Sequence, residues 1–424
     1  MIMTRREALK TSTAAAFLGA SGILARAAGA NEKLNIVCVG IGGQGTGNVK
    51  AAAAHTLIGL CDVDSVRAGK VFETYPNVKR FVDFRKMFDE LEKQIDAVVV
   101  STPDHTHFHP AYWALQRGKH LYLEKPMAHN VWEVRKLTDL AREKKIATQL
   151  GNQRHAIPNM ARVVELIRAK AIGDVTEVHS WIGTSRGDWK DPDHPATPAT
   201  LNWDLWVGPA KDHGYSPQFA PYNWRFFWDY GTGEAGNWGC HILDIPFWAL
   251  GLKYPTKVSA TNAKPDPMKT PSAMATHLEF PAVGSRKAVT LHWYQGKPSI
   301  LKEKGIDEKN INNVFIGTDG ILAAGFAEHK LYPVEKFKDY KAPEKSIPAS
   351  PGFHKEWLAA CKGGPAATCN FDYTGPMSET VLLANVAFRA GGKAFEWDAT
   401  TMTAKGNDAV APLLKEEFRK GWEI

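Results

Sequence analysis

An apolar run, Leu34 to Val39, leads into Gly40-Ile-Gly-Gly-Gln-Gly-Thr-Gly47 and then into the helix-forming stretch Asn48 to Ala54. Strand, glycine turn and helix in that order constrain this chain more than any other feature. Gly40 permits a tight turn, Gly42 lets the backbone approach a pyrophosphate, and Gly45 lets the helix pack closely on the strand. Phosphates then meet the positive end of the helix. A second apolar run, Leu57 to Leu60, ends at Cys61-Asp62, 22 residues after Gly40. That is close to the offset of ~20 at which a carboxylate meets the adenosine ribose of a dinucleotide. Glycine loop and carboxylate together favour a dinucleotide site over an ordinary glycine-rich loop.

The alternation continues. Helices are expected over Ser65 to Tyr75, Phe84 to Glu92 and from the Asn130-Val-Trp-Glu133 capping box to Lys144. Strands are expected at Val78 to Val82, Ile95 to Ser101, His120 to Leu123 and Thr148 to Leu150. Alternating strands and helices predict a parallel sheet. The loop Thr102-Pro-Asp-His-Thr-His107 follows a buried strand, where such sheets carry ligands. Two histidines without a third ligand nearby make a poor metal site, so His105 and His107 read as loop hydrogen-bonding groups. Lys125, beside Pro126 at a strand end, is placed for chemistry or is a solvated surface lysine.

After the crossover Gly151-Asn-Gln-Arg-His155 the pattern changes. A helix, Ile157 to Ala169, and a strand, Val175 to Thr184, precede a loop-like stretch from Asp188 to Pro221 rich in Pro and Trp. Strands at Thr256 to Ala263, His277 to Pro281 and Lys287 to Gln295, and a hairpin at Asp319-Gly320, predict a mostly antiparallel sheet. Helices return at Gly352 to Cys361 and Met377 to Ala390. In Gly233-Glu-Ala-Gly-Asn-Trp-Gly-Cys-His-Ile-Leu-Asp244, helical spacing puts Asn237, His241 and Asp244 on one face.

The first residues read as an address. Arg5-Arg6, an apolar stretch from Ala14 to Leu24 and small residues ending at Ala27 or Ala30 resemble a twin-arginine export signal, so a periplasmic or otherwise exported protein is expected. Three of the seven net positive charges lie there, and the rest are too diffuse to argue for nucleic acid. No other stretch approaches the ~20 apolar residues of a membrane span. Five cysteines show no zinc or disulfide spacing and read as buried thiols.

Together the glycine loop, Cys61-Asp62-Val-Asp64, Glu124-Lys125-Pro126 and Gly236-Asn237 to His241 resemble the glucose–fructose oxidoreductase / inositol dehydrogenase (Gfo/Idh/MocA) family. Asn202-Trp-Asp-Leu-Trp-Val-Gly-Pro209 and Phe353-His-Lys-Glu-Trp357 resemble an exported bacterial branch of it. The resemblance implies an α/β chain in three parts: a signal peptide (1–30), a Rossmann domain (33–153) and an α/β domain with a large open sheet (154–424). It implies a homo-oligomer, dimer or tetramer, and a carbohydrate substrate.

The cofactor expected is NAD rather than NADP, held by Gly40, Gly42, Gly43, Gln44, Gly45, Asp62, Thr102, Pro103, His107, Glu124 and Lys125; no metal is expected. By the same resemblance Lys125, His241 and Asn237 are catalytic, Asn237 standing where the family commonly has Asp, and Asp244 is a candidate substitute for that acid. Arg154, His155, Trp224, Arg225 and Asp244 are expected to face substrate. Chemically, a carbon releases hydride as its hydroxyl loses a proton, which calls for a base of near-neutral pKa such as His, and a lysine ammonium stabilises the developing alkoxide. Two enzymatic readings remain, an oxidoreductase with an internally recycled cofactor and an NAD-dependent glycosidase or lyase working by transient oxidation and elimination. A sensor or scaffold is the third, disfavoured by intact Lys125 and His241.

Overall fold

The computed structural model describes residues 33–183, 186–306 and 309–424; the expected export signal lies outside them. The first sheet has six strands: β1 Asn35–Val39, β2 Thr56–Cys61, β3 Lys79–Phe81, β4 Ala97–Val100, β5 His120–Glu124 and β6 Thr148–Gly151. Every pairing is parallel and the order is β3-β2-β1-β4-β5-β6. Strand order reverses between β1 and β4, and the loops leaving those two strands flank the crevice where such sheets bind ligands.

The connecting helices are α1 Gln44–Ala52, α2 Gly69–Thr74, α3 Phe84–Leu91, α4 Phe108–Gln116 and α5 Val131–Glu143. Asp83 caps α3 through Arg85 N, and Asn130 with Glu133 forms the expected capping box. Helix α4 has no counterpart in the sequence reading. Its His-Phe-His-Pro start lacks a capping side chain, and its apolar residues bury on several sides rather than along one stripe.

The second sheet has nine strands. They are β7 Val175–Ile182, β8 Lys257–Thr261, β9 Met274–Phe280, β10 Val289–Gln295, β11 Asn313–Gly317, β12 Ile321–Ala324, β13 His329–Tyr332, β14 Phe395–Asp398 and β15 Thr403–Lys405. The order is β13-β12-β11-β7-β10-β9-β8-β14-β15. Within this sheet, among the described residues, only β7 and β10 pair in parallel. The hairpin at Asp319-Gly320 joins β11 to β12, closed by Gly317 N donating to Gly320 O at 2.9 Å. Strands β13 to β15 carry too little alternation in three or four residues to be legible beforehand.

Two late helices bind the sheets together. Phe353–Ala360 places Phe353, Trp357 and Leu358 against Leu34, Ile36 and Tyr122 of the first sheet. This helix lies beyond the expected boundary at 153/154 and buries its apolar face against the earlier strands. Phe371–Arg389 begins six residues before the expected Met377. Asn370 caps it through Tyr373 N, and Pro376 lies inside the helix, where it removes one i→i−4 hydrogen bond. Gly375 lets it lie against α5: a Cβ there would stand 2.3 Å from Thr138 Oγ1.

The same interface buries an ion pair. Arg135 of α5 clamps Glu379 with Nε–Oε1 at 2.6 Å and Nη2–Oε2 at 2.8 Å, and its Nη1 donates to Ala399 O at 2.7 Å. Glu379 is fully buried. Removing one partner of such a pair leaves the other charge uncompensated, a loss of about 3–5 kcal/mol. Arg135→Ala is expected to lower the denaturant midpoint accordingly; an unchanged midpoint would mean that the pair is dispensable.

Candidate active site

A cavity of about 570 Å³ opens between the two sheets. Its walls come from the glycine loop, the end of β2, the loop after β4, the end of β5 and the tryptophan-rich segment 220–241. At one end the glycines meet their geometric demands. Gly40 has φ +75°, and a Cβ there would lie 2.7 Å from the Ser101 and Thr102 backbone; a Cβ on Gly45 would lie 2.1 Å from Gly40 O. No side chain caps α1 and no acid stands in its first turn, which leaves its positive end for an anion.

Asp62 lies on the same wall. Its Oδ2 accepts from Ile41 N at 2.9 Å and Gly42 N at 3.1 Å, and its Oδ1 accepts from Asp64 N at 3.0 Å. Burial raises its pKa, and these three amides oppose the rise. The carboxylate thus braces the loop it was expected to accompany. Arg67 covers Gly42 and Gly43 closely enough that a Cβ on either would meet its side chain at 2.5 Å. Glycine cradle, uncapped helix and the Asp62 carboxylate at the end of β2 fit a dinucleotide.

Further along, Glu124 is buried at the end of β5. Asn48 Nδ2 and Gln153 Nε2 each donate to its Oε1 at 2.8 Å. Beside it, Lys125 Nζ donates to Asn237 O at 2.9 Å and to Asn237 Oδ1 at 3.1 Å. Asn237 Nδ2 donates in turn to Glu234 Oε2 at 3.0 Å, and Arg186 Nη2 reaches the same oxygen at 3.0 Å. This relay gives the missing aspartate a physical account. An amide at 237 accepts from the lysine and donates to a carboxylate one turn earlier, which a second carboxylate could not do. Glu234 and Arg186 were not anticipated as site residues; the i,i+3 spacing of Glu234 and Asn237 was the available signal.

The segment Ala235–Gly239 is a π-helical turn running into Cys240–Ile242. Such turns recur at functional sites. It brings His241 to the cavity wall, 8% exposed, with Nδ1 buried and unpartnered. Burial first, then the charges of Lys125 and Arg154, holds its pKa well below the ordinary histidine value. His241 is therefore neutral at pH 7. Burial and Arg225 lower the Lys125 pKa, while Glu124 and Asp104 resist. Arg154 lies over Trp238 and Phe326 at 4.9 and 4.5 Å, and Arg225 over Trp224 at 4.1 Å. Asp104 anchors the tryptophan-rich segment to the β4 loop by accepting from Thr232 Oγ1 at 2.6 Å.

Most of the expected residues converge here: Gly40, Gly42, Gly43, Gln44, Asp62, Thr102, Pro103, Glu124, Lys125, Arg154, Trp224, Arg225, Asn237 and His241 all line the cavity. Gly45 sits behind, against Gly40. His107 is buried behind its loop, with Nδ1 2.7 Å from Pro126 O and Nε2 2.8 Å from Thr102 O. His105 likewise bridges Tyr230 O and Trp206 O.

His155 and Asp244 do not reach the cavity. Asp244 is fully buried, and a buried carboxylate takes its partners where it finds them. His155 Nδ1 lies 2.9 Å from Asp244 Oδ2, Asn152 Nδ2 donates to the same oxygen at 2.9 Å, and Tyr373 OH donates to Oδ1. Burial alone would lower the His155 pKa; Asp244 outweighs it and raises it. The pair holds the crossover to helix Phe371–Arg389 and, contrary to expectation, faces away from the cavity where a substrate would sit.

Known proteins agree with this architecture. Residues 34–152 match the Gfo/Idh/MocA family described as "Oxidoreductase family, NAD-binding Rossmann fold", and residues 173–424 match its "C-terminal alpha/beta domain". Levoglucosan dehydrogenase of Pseudarthrobacter phenanthrenivorans is 27% identical over 182 residues, 43% of this chain and 38% of that one. UDP-N-acetylglucosamine 3-dehydrogenase of Acidithiobacillus ferrooxidans is 30% identical over 28% of this chain and 37% of its own. The chain spans about a quarter to about half the length of the curated relatives it matches. Among solved structures, the WlbA dehydrogenase of Bordetella pertussis, in complex with NADH and UDP-GlcNAcA, superposes with a TM-score of 0.61 at 16% identity, over 87% of this chain and 99% of that one. Both halves of the described chain are thus accounted for, and the chain belongs to the Gfo/Idh/MocA oxidoreductase family.

Proposed function

We propose that this protein is an NAD-dependent oxidoreductase acting on a hydroxyl of a sugar, glycoside or polyol. The observation that carries the reading is the pairing, in one cavity with the glycine loop, of a neutral His241 and a Lys125 pinned by Asn237. The nicotinamide, when bound, supplies a hydride acceptor. The chain supplies the rest. Lys125 orients the reacting hydroxyl and stabilises negative charge on its oxygen as the proton leaves. His241, unprotonated, takes that proton. Trp224 and Trp238 offer flat apolar surface to a sugar ring, and Arg154 and Arg225 offer donors to its hydroxyls. Asp62 favours an unmodified ribose and so NAD over NADP, while Arg67 pulls the other way.

The first test is to denature purified protein, identify the nucleotide released, and screen glycosides for a change in nicotinamide absorbance. NAD, with a sugar-dependent change in absorbance or in product released, is expected; NADP would reverse the cofactor assignment, and neither an absorbance change nor product from any sugar or polyol would remove the substrate class.

Export by the twin-arginine route is part of the same proposal, resting on Arg5-Arg6 and the small residues to Ala30. Replacing both arginines with lysine is expected to keep the protein inside the cytoplasm, as read by cell fractionation; unchanged export would discard the route. A folded protein can carry its nucleotide across. Because no NAD pool is expected outside, the nucleotide stays bound between turnovers, reduced and reoxidised in each cycle.

A further inference from the structure

Strands β7, β9 and β10 carry a polar cluster that the cavity does not use. In register, His292 of β10 faces His179 of β7 on one side and His277 of β9 on the other, so three imidazoles form one row across three neighbouring strands. Glu177 and Tyr294 lie two residues along from His179 and His292 and share their face of the sheet. Val178, Leu278 and Leu291, on the opposite face, belong to the helix-covered core.

The geometry converges on one point. His179 Nε2 lies 3.0 Å and His292 Nε2 2.9 Å from Glu177 Oε1. Both ring nitrogens are buried and neither makes an aligned hydrogen bond. One donor atom from each of the three side chains lies within 4.8 Å of the others. Two imidazole nitrogens and a carboxylate are a donor set for zinc and similar divalent ions. Ligands at ~2.0–2.2 Å around a tetrahedral ion stand about 3.3 Å apart, so the observed contacts need to spread by only a few tenths of an ångström.

The outer contacts match as well. A histidine that ligates through Nε2 carries its proton on Nδ1 and needs an acceptor there. His179 Nδ1 has Tyr294 Oη at 3.0 Å, and His292 Nδ1 has His277 Nδ1 at 2.6 Å. His277 then carries its proton on Nε2, which faces Thr261 Oγ1 at 3.4 Å. Each contact has one donor and one acceptor.

We propose that Glu177, His179 and His292 bind one divalent transition-metal ion of the zinc class, held in orientation by Tyr294 and His277, which clips β7 to β10. The test uses full-length, untagged protein stripped with a chelator and titrated with zinc and with cobalt(II). One ion per chain is expected, with the visible absorption of a low-coordinate cobalt site. Glu177→Gln is expected to weaken binding by at least ~10²-fold and His277→Asn by ~10-fold or more. His292→Asn is expected to abolish it. Glu177 is 40% exposed, so its variant folds and decides the matter if a histidine variant does not. Absence of stoichiometric binding overturns the proposal. So does binding unaffected by Glu177→Gln, which would put the ion elsewhere.

Discussion

Replacing His241 with alanine is expected to lower kcat/KM by ~10²–10⁴-fold, the usual worth of a positioned acid–base group, with fold and nucleotide content unchanged. The imidazole serves as a base only when unprotonated. Its pKa is held below the ordinary histidine value of 6.5 by burial and by Lys125 and Arg154. The sign follows: activity that depends on a neutral His241 persists as pH falls through 6.5 and is lost only below it. A pH profile of the wild type places that limb, and its absence in the variant assigns it. Near-normal activity in the alanine variant, or an acid limb at or above 6.5 assigned to His241, would mean that another group takes the proton.

Gly45→Ala is the second large effect. One methyl group there would stand 2.1 Å from Gly40 O and 2.9 Å from Gly40 C, both backbone atoms at the turn between β1 and α1. Neither can rotate away, so the loop must open, and losing one backbone hydrogen bond to a charged phosphate, about 1.5–3 kcal/mol, weakens binding by on the order of 10²-fold. Nucleotide affinity is expected to fall by about that factor, read by fluorescence titration. Gly47→Ala is the control, since a Cβ at Gly47 meets nothing within 4 Å. Equal nucleotide affinity in the two variants would sink the assignment of this loop as the cofactor cradle.

Much of the first sheet was legible because its signals are local. Glycine at 40, 42 and 45 after an apolar run, Asp83 before α3 and Asn130 three residues before Glu133 each act within a few residues of themselves. The parts that escaped depend on contacts across the chain. His354 Nε2 meets Asn48 Oδ1 at 3.0 Å across 306 positions, which is how a late helix comes to cover the first sheet. Asp244 has helical spacing to His241, yet its carboxylate turns to His155, Asn152 and Tyr373, partners that no periodicity reveals. The Glu234–Asn237–Lys125 relay was half legible. Its first link is an i,i+3 pair, while the second spans 112 positions from β5 to the π-helical turn.

That relay also bears on how the site departs from an aspartate-bearing pattern. Lys125 meets an amide oxygen rather than a carboxylate, and the negative charge sits one residue further out on Glu234, shared with Arg186. The lysine is thereby positioned without a carboxylate in direct contact with Nζ, as its proposed role at an alkoxide requires.

The central claim is that a sugar C–H gives its hydride in this cavity to a nucleotide that stays bound. Supplying a substrate deuterated at the reacting carbon, with no added NAD, tests it most directly. The account predicts many turnovers per chain, with deuterium retained in a product: in a second, reduced product for net oxidoreduction, or in the released sugar for glycoside cleavage. Turnover strictly proportional to added NAD, with the deuterium leaving on free nucleotide, would contradict it.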